Sequence, residues 1–160
     1  QAYAHTYKMP VGIARCGNIY GGGDLNFSRI VPGTIKSILQ NENPVIRSDG
    51  TYIRDYFYVE DAADAFLALA EALDRKEVQG HAFNFGPEKP ISVINLVNKI
   101  LKISSSKLKP KILAEAKNEI KKQYLDCSKA NEMLGWKART GLDDGLKKTI
   151  GWYKEFFKNN

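Results

Sequence analysis

The sequence of 160 residues is poor in the side chains that form cross-links or bind metals, with two cysteines and two histidines. Cys16 and Cys127 are far apart, and neither they nor the histidines have partners at a metal-ligand spacing. We therefore predict free thiols, no metal site and a location in the reducing cytoplasm. No Ser-His-Asp or Cys-His set stands out either, so we predict no catalytic residues in this chain.

Long apolar runs, internal repeats and low-complexity segments are absent as well. No stretch resembles a membrane span or a signal peptide, so we expect no membrane partner. What remains is ordinary globular composition, with 43% hydrophobic residues. A chain of this length can form one domain with a real core.

The formal net charge of +6 is concentrated in one lysine-rich stretch. These lysines crowd a serine-rich turn and the segments around it: Lys102, Lys107, Lys109, Lys111, Lys117, Lys121 and Lys122. Such a run indicates a solvated face or a general attraction for anions. Because no aromatics are interleaved with the lysines and no reading motif appears, we expect no nucleic-acid partner.

Strand and helix patterns alternate along the chain, which predicts an α/β fold. The predicted strands are Val11–Cys16, Val45–Arg47, Tyr52–Val59, His81–Phe85 and Ile112–Leu113. Six helices are predicted. The first ends at Tyr7, the second runs from Ile30 to Gln40, the third starts at Val59 and the fourth is capped by Ser92. The fifth runs from Asp126 or Ser128 to Gly135, and the sixth is capped by Thr140. In the helix from Val59, the predicted packing face is Val59, Ala62, Ala63, Phe66, Leu67, Ala70 and Leu73.

Arg54 is the strongest single candidate for ligand binding. It lies beside an alternating aromatic run on an extended segment, where a guanidinium suits bidentate capture of a phosphate. The competing interpretation is a structural ion pair with Asp55 or Asp61. Local sequence leaves both open.

Three other polar side chains have the same two interpretations. Arg15 ends a buried strand, where it would neutralise an anion or form a salt bridge. Asn18 follows a glycine, where it would donate from its amide to a phosphate or serve as a turn residue. Asn84 lies between two phenylalanines and would bind ligand or make a buried hydrogen bond.

Paired residues after Arg54 suggest acid–base chemistry, but their periodicity favours a structural role. Tyr56 and Tyr58 lie on one face of a strand, so we interpret them as packing residues. Glu60 and Asp61 are placed to start a helix, where they complement its positive end. The glycines of Gly21–Gly23 lack the G-x-G-x-x-G order and are interpreted as turn-formers.

Five motifs in order resemble the extended short-chain dehydrogenase/reductase family, the NAD-dependent nucleotide-sugar epimerases and dehydratases. They are Arg15-Cys-Gly-Asn-Ile-Tyr-Gly, Ser28-Arg-Ile-Val-Pro, Ile53-Arg-Asp-Tyr-Phe-Tyr-Val-Glu-Asp, Asn84-Phe-Gly and Leu134-Gly-Trp. The variants Gly17-Asn-Ile-Tyr-Gly-Gly-Gly-Asp-Leu-Asn and Val45-Ile-Arg-Ser-Asp-Gly-Thr most resemble CDP-glucose 4,6-dehydratases.

The resemblance implies a carboxyl-terminal half of an extended Rossmann-type enzyme. In the family an amino-terminal half carries the glycine fingerprint for NAD and a catalytic Tyr-x-x-x-Lys pair. Neither occurs here, and Gln1 would fall just after the family's lysine. We therefore expect residues 1–25 and 54–86 to pack on the Rossmann sheet and residues 26–53 and 87–160 to form a substrate-binding lobe. Alone, the chain would hold no NAD and be inactive.

The resemblance also assigns residues to the phosphates of a nucleotide-diphospho-sugar. Asn18 and Arg54 match the family's asparagine and arginine that hold the diphosphate. Asn84 matches an asparagine near the phosphates or the ribose. The family's second arginine is missing from the loop Ala116–Tyr124, where Lys117 or Lys121 would substitute as a point charge.

The nucleoside end of the substrate is assigned in the same way. Arg29 and Ile30 fall where the start of a helix touches the nucleotide in the family. Val45 and Arg47 fall where a short strand flanks the nucleobase, with Arg47 in place of a frequent aromatic residue.

For the whole enzyme the resemblance implies 4,6-dehydration: oxidation at C4 by NAD, loss of water across C5–C6, and return of the hydride to C6. One alternative is a nucleotide-sugar 4-epimerase, and another is a non-catalytic module that binds nucleotide-sugars or protein. Without the amino-terminal half, the strands Val11–Cys16 and Ala82–Phe85 and the alanine-rich helix from Val59 would have apolar faces that are exposed or paired with another copy. We therefore predict a homo-oligomer.

Overall fold

The computed structural model describes residues 2–115 and 119–159, in which strands and helices alternate as predicted. The helices are α1 Ala2–Tyr7, α2 Ile30–Leu39, α3 Val59–Glu71, α4 Val93–Ile103, α5 Ser128–Leu134 and α6 Leu142–Asn159. The strands are β1 Ile13–Cys16, β2 Asn18–Tyr20, β3 Val45–Ile46, β4 Ile53–Arg54, β5 Tyr56–Tyr58, β6 Ala82–Phe85, β7 Ile91–Ser92, β8 Lys111–Ile112 and β9 Lys122–Gln123. The predicted α/β class is confirmed.

Short parallel pairs bring distant parts of the chain together. β1 pairs with β6, β2 with β5, and β3 with β8, all in parallel. β4 lies between antiparallel β7 and parallel β9. Because β4 and β5 are nearly consecutive, the extended segment from Ile53 to Tyr58 joins two of these sheets. Its last four residues, Asp55, Tyr56, Phe57 and Tyr58, are buried.

The face of α3 that packs on the β1–β6 pair is not the face predicted from sequence. Ala62, Ala65 and Leu69 are buried, whereas Phe66 and Leu67 are 53% and 61% exposed. Apolar residues cover most of the circumference of this helix, so periodicity alone cannot select one face. Close approach to the strand selects it, since a Cβ on Gly12 would lie 2.8 Å from Leu69 Cδ1.

A second core forms where α2, α4 and α6 pack together against β2 and β5. Its buried members include Ile35, Leu96, Ile100, Leu146 and Tyr153. The predicted cap of α4 is confirmed, because Ser92 Oγ accepts a hydrogen bond from the Asn95 N–H. No helix in the two described ranges combines the length and apolar character needed to cross a bilayer.

The predicted cap of α6 is wrong. Thr140 Oγ1 donates to Asp61 Oδ1 at 2.9 Å, and the helix begins at Leu142. Asp61 Oδ2 also accepts from the backbone N–H groups of Arg139 and Thr140. Because a buried carboxylate needs hydrogen-bond donors, the Thr140 hydroxyl bonds to Asp61 and does not cap α6. Asp61 does more than start α3, because it ties that helix to the loop before α6.

Candidate functional site

A cavity of about 750 Å³ opens between the ends of β2, β4 and β5, helix α2 and strand β3. Its volume is in the range of pockets that hold small molecules. Six of the seven predicted site residues line it: Asn18, Arg29, Ile30, Val45, Arg47 and Arg54. The tertiary structure thus joins residues that are up to 36 positions apart (from Asn18 to Arg54).

Strand register explains why Asn18 and Arg54 share this cavity. Asn18 on β2 is paired with Tyr56 on β5, so their side chains lie side by side on one face. Arg54 precedes Tyr56 by two residues on the same extended segment and projects to the same side. All three residues line the cavity. An amide, a phenol and a guanidinium therefore meet at one wall.

Arg54 has neither of the ion-pair partners considered from sequence. Its side chain is only 14% exposed, and its Nη2 lies 3.5 Å from Glu119 Oε2. Nη1 donates to the carbonyl of Ile53 at 2.9 Å, and the guanidinium lies 5.8 Å from the centroid of the Tyr52 ring. Arg54 is therefore largely buried and forms its ion pair with an exposed carboxylate. Its remaining N–H donors are available to an anionic ligand.

Asp55, the neighbour of Arg54, forms hydrogen bonds with the loop after β6. Its carboxylate is buried and accepts from the N–H groups of Glu88 and Lys89, each at 3.2 Å. Burial raises the pKa of this carboxyl above its ordinary value, while the two backbone hydrogen bonds lower it. Asp55 thus anchors the loop after β6 and leaves Arg54 to the cavity.

The start of α2 forms a second wall, with Arg29 and Ile30. Arg29 Nη1 lies 3.1 Å from Asp24 Oδ2, and the Arg29 side chain is 61% exposed. Arg29 is also the N-terminal cap position of α2, so the positive end of the helix adds to its charge. The helix begins at Ile30 with Pro32 in its first turn, as predicted.

The third wall is the β3 segment with the facing side of α2. Val45 and Arg47 are exposed to the cavity, and within residues 2–115 and 119–159 Arg47 has no ion pair. Thr34 on α2 also lines the cavity, and its hydroxyl is buried without a hydrogen-bond partner in those ranges. This wall combines an apolar surface with unpaired polar groups, a composition typical of a ligand pocket.

The remaining candidates lie elsewhere. Asn84 is outside the cavity lining, and its Nδ2 donates to the Asp126 carbonyl at 3.0 Å. Arg15 is exposed on β1, next to Asn84 in the β1–β6 register, and also lies outside the lining. Lys121 does not line the cavity, and Lys117 lies outside the described residues.

Several lining residues were missed from sequence. Tyr56, Thr34, Asp24 and Glu119 all belong to the cavity wall. Tyr56 is the one that sequence reasoning could have found, since it lies two residues after Arg54 on an extended segment. The others depend on long-range packing that no local pattern reports.

The glycines after β2 allow close packing of two helices. A Cβ on Gly21 would lie 2.3 Å from Val59 Cγ1, and one on Gly22 would lie 2.5 Å from Trp152 Cγ. These glycines therefore accommodate α3 and α6. This packing role agrees with the interpretation of Gly21–Gly23 as turn-formers outside a G-x-G-x-x-G fingerprint.

Comparison with known proteins finds similarity to enzymes that are named for nucleotide-sugars. The chain is 32% identical over 156 residues to the trifunctional UDP-glucose 4,6-dehydratase/UDP-4-keto-6-deoxy-D-glucose 3,5-epimerase/UDP-4-keto-L-rhamnose-reductase of Arabidopsis thaliana, covering 96% of this chain and 22% of that protein. It is 28% identical over 170 residues to dTDP-D-glucose 4,6-dehydratase of Bos taurus, covering 99% and 45%. The chain thus spans less than half the length of these relatives.

Solved structures agree. The UDP-glucose 4-epimerase of Thermotoga maritima, determined with UDP-glucose, matches with a TM-score of 0.87 and 27% identity, over 97% of this chain and 49% of that one. The profile of the NAD-dependent epimerase/dehydratase family matches residues 1–86, which is more than half of the sequence. The chain therefore belongs to the NAD-dependent epimerase/dehydratase family, within the extended short-chain dehydrogenases/reductases.

Proposed function

We propose that this chain is the nucleotide-sugar-binding part of an NAD-dependent nucleotide-sugar 4,6-dehydratase. The observation that carries the proposal is the presence of Asn18 and Arg54 in one cavity of about 750 Å³. These residues match the family's diphosphate ligands. They would have had no common ligand if the fold had placed them on opposite sides of the molecule.

The charges around the cavity support an anionic ligand. Three arginines and two carboxylates line it: Arg29, Arg47 and Arg54, with Asp24 and Glu119. Asp24 pairs with Arg29 and Glu119 with Arg54, at 3.1 and 3.5 Å. Arg47 has no such partner in the described ranges, so the cavity attracts anions.

Each end of the ligand has a proposed subsite. Arg54 and Asn18 would bind the diphosphate, and Arg29 and Ile30 would adjoin the nucleotide at the start of α2. Val45 and Arg47 would flank the nucleobase, where a planar guanidinium stacks on a ring as an aromatic side chain does. Asn84, which bonds to the chain itself, would support the site from the neighbouring strand.

We also propose a division of labour with polypeptide outside this chain. Residues 1–25 and 54–86 would complete the NAD-binding sheet, and residues 26–53 and 87–160 would form the substrate lobe. NAD and the Tyr-x-x-x-Lys pair would belong to an amino-terminal half, and this chain alone would be inactive. The binding energy of the nucleotide would then position the sugar for the chemistry. A cytoplasmic location is part of the same proposal.

Titration calorimetry with CDP, UDP and dTDP tests the binding role directly. We expect a nucleoside diphosphate to bind, and the corresponding nucleoside to bind much more weakly because it lacks the charged group. CDP is the first choice from the sequence motifs, whereas the relatives described above are named for UDP- and dTDP-sugars. Absence of binding by all three would contradict the proposal.

A second candidate is the same part of a nucleotide-sugar 4-epimerase, favoured by the structural match to UDP-glucose 4-epimerase. Both reactions begin with oxidation at C4, and they differ in the groups that act on C5 and C6. A 4-keto-6-deoxy product from the polypeptide that contains this chain would establish dehydration. A 4-epimer would establish epimerisation.

Exposed apolar residues on α1 and α3 lead us to expect self-association. Tyr3 and Tyr7 of α1 are 64% and 68% exposed, and Phe66 and Leu67 of α3 are also largely exposed. Exposed apolar surface, where it is contiguous, marks an interaction site. Sedimentation equilibrium should therefore give a mass above that of one chain. A single monomeric species across the concentration range would contradict this expectation.

A further inference from the structure

The hydroxyl of Tyr56 is a polar group at the cavity that lacks a partner. Tyr56 is 7% exposed, and its ring packs in the core between α2, α4 and α6. That packing role was predicted from sequence. The residue nevertheless lines the cavity, beside its register partner Asn18.

Other buried tyrosines have bonded hydroxyls. Tyr20 donates to the Leu142 carbonyl, Tyr58 to Glu60 Oε1 and Tyr153 to the Asp24 carbonyl. Tyr56 has no hydrogen bond of this kind to any residue within 2–115 or 119–159. In the same ranges the fully buried side-chain atoms without a partner are Thr34 Oγ1 and Ser104 Oγ, so the Tyr56 hydroxyl is not sealed in the core. Because Tyr56 lines the cavity, its hydroxyl is free to bond to a ligand there.

The residues around the Tyr56 hydroxyl indicate which chemical group of a ligand would bind there. Arg54 is close enough for its charge to favour ionisation of the Tyr56 hydroxyl, yet burial dominates and raises the pKa of Tyr56 to about 12. The hydroxyl therefore stays protonated at neutral pH and is available as a donor. The Arg54 guanidinium has only donors, and the Asn18 amide can donate through Nδ2, so one accepting group can bond to all three residues. An anionic oxygen of a phosphate meets this requirement.

We propose that the Tyr56 hydroxyl donates a hydrogen bond to the phosphate group held by Arg54 and Asn18. This proposal rests on the proposed function, which it deepens by adding a third phosphate ligand. The tyrosine would bind from the floor of the cavity, since its ring is fixed in the core, whereas the Arg54 side chain adjoins the exposed Glu119. A donor held in place by core packing loses little freedom when it binds.

The test is Tyr56→Phe, which removes one oxygen and keeps the ring. The affinity for CDP, UDP or dTDP, whichever wild type binds most tightly, should fall by about tenfold or more, because the lost bond is to a charged group. The affinity for the matching nucleoside should not change. The matched control is Tyr58→Phe on the same strand, where the hydroxyl bonds to Glu60 outside this cavity. Its diphosphate affinity should equal that of wild type.

Thermal unfolding separates binding from folding. Tyr56→Phe should not lower the unfolding midpoint, since it keeps the ring in the core and breaks no hydrogen bond to a residue of the described ranges. Unchanged diphosphate affinity in Tyr56→Phe, with a large loss in Arg54→Ala, would overturn the inference and leave the proposed function intact. An equal loss for nucleoside and diphosphate would also overturn it. If wild type bound no nucleoside diphosphate, the proposed function would fail and the role of Tyr56 with it.

Discussion

Arg54→Ala is expected to weaken the binding of a nucleoside diphosphate by about 100-fold or more, because two charge-assisted hydrogen bonds are lost together. The guanidinium is 14% exposed at the cavity wall, so solvent screens it little. Titration calorimetry of wild type and variant with the same diphosphate measures the change. The nucleoside should bind both proteins alike.

Two further arginine variants sharpen this test. Arg54→Lys keeps the charge and loses the planar fork, so its affinity should lie between those of wild type and Arg54→Ala. Arg15→Ala is the matched control, since Arg15 is an exposed arginine outside the cavity. Equal affinities for wild type and Arg54→Ala would remove Arg54 from the site. Equal losses at Arg15 and Arg54 would indicate only a general effect of net charge.

Asp61→Ala should cause the largest loss of stability. Asp61 is 5% exposed and accepts from the Arg139 N–H, the Thr140 N–H and Thr140 Oγ1. Its removal leaves these donors unsatisfied and unties α3 from the loop before α6. We expect the free energy of unfolding to fall by about 3 kcal/mol or more, given the cost of losing hydrogen bonds to a charged group. Urea denaturation followed by circular dichroism measures it.

The control is the adjacent residue of the same helix. Glu60 is exposed and pairs with the exposed Lys148 at 2.7 Å. Exposed ion pairs contribute little, so Glu60→Ala should leave the denaturation midpoint nearly unchanged. If both variants lost the same small amount of stability, the Asp61 hydrogen bonds would not hold these elements together. Asp61 also lies outside the cavity lining, so diphosphate affinity should survive wherever the variant is folded.

Local signals in the sequence were sufficient for much of the fold. Ser92 caps α4, whose buried residues Leu96, Val97, Ile100 and Leu101 follow the predicted helical spacing. Gly50 turns the chain with φ of 83°, and Gly135 ends α5 with φ of 65°, in the left-handed region where glycine is favoured. Each of these features depends on residues within about one helical turn of each other.

Some local patterns are compatible with two structures. At these positions the prediction from sequence was wrong or left two alternatives open. The α3 helix has apolar residues around most of its surface, and only contact with β1 shows that Ala65 and Leu69 pack inward. Thr140 has the properties of a cap, but Asp61, 79 positions away, uses its hydroxyl. Asn84 had both a ligand and a structural interpretation, and its amide bonds to the Asp126 carbonyl.

By itself the sequence determined the α/β alternation, the positions of most helix starts and turns, and the family, because these depend on spacing and motifs read along the chain. Only the tertiary structure decided that Asn18, Arg54 and Tyr56 face one cavity and that Arg15 and Asn84 do not line it. The physical reason is that a binding site is defined by strand register and by the packing of distant elements. Register and packing arise from long-range contacts that a local pattern does not contain.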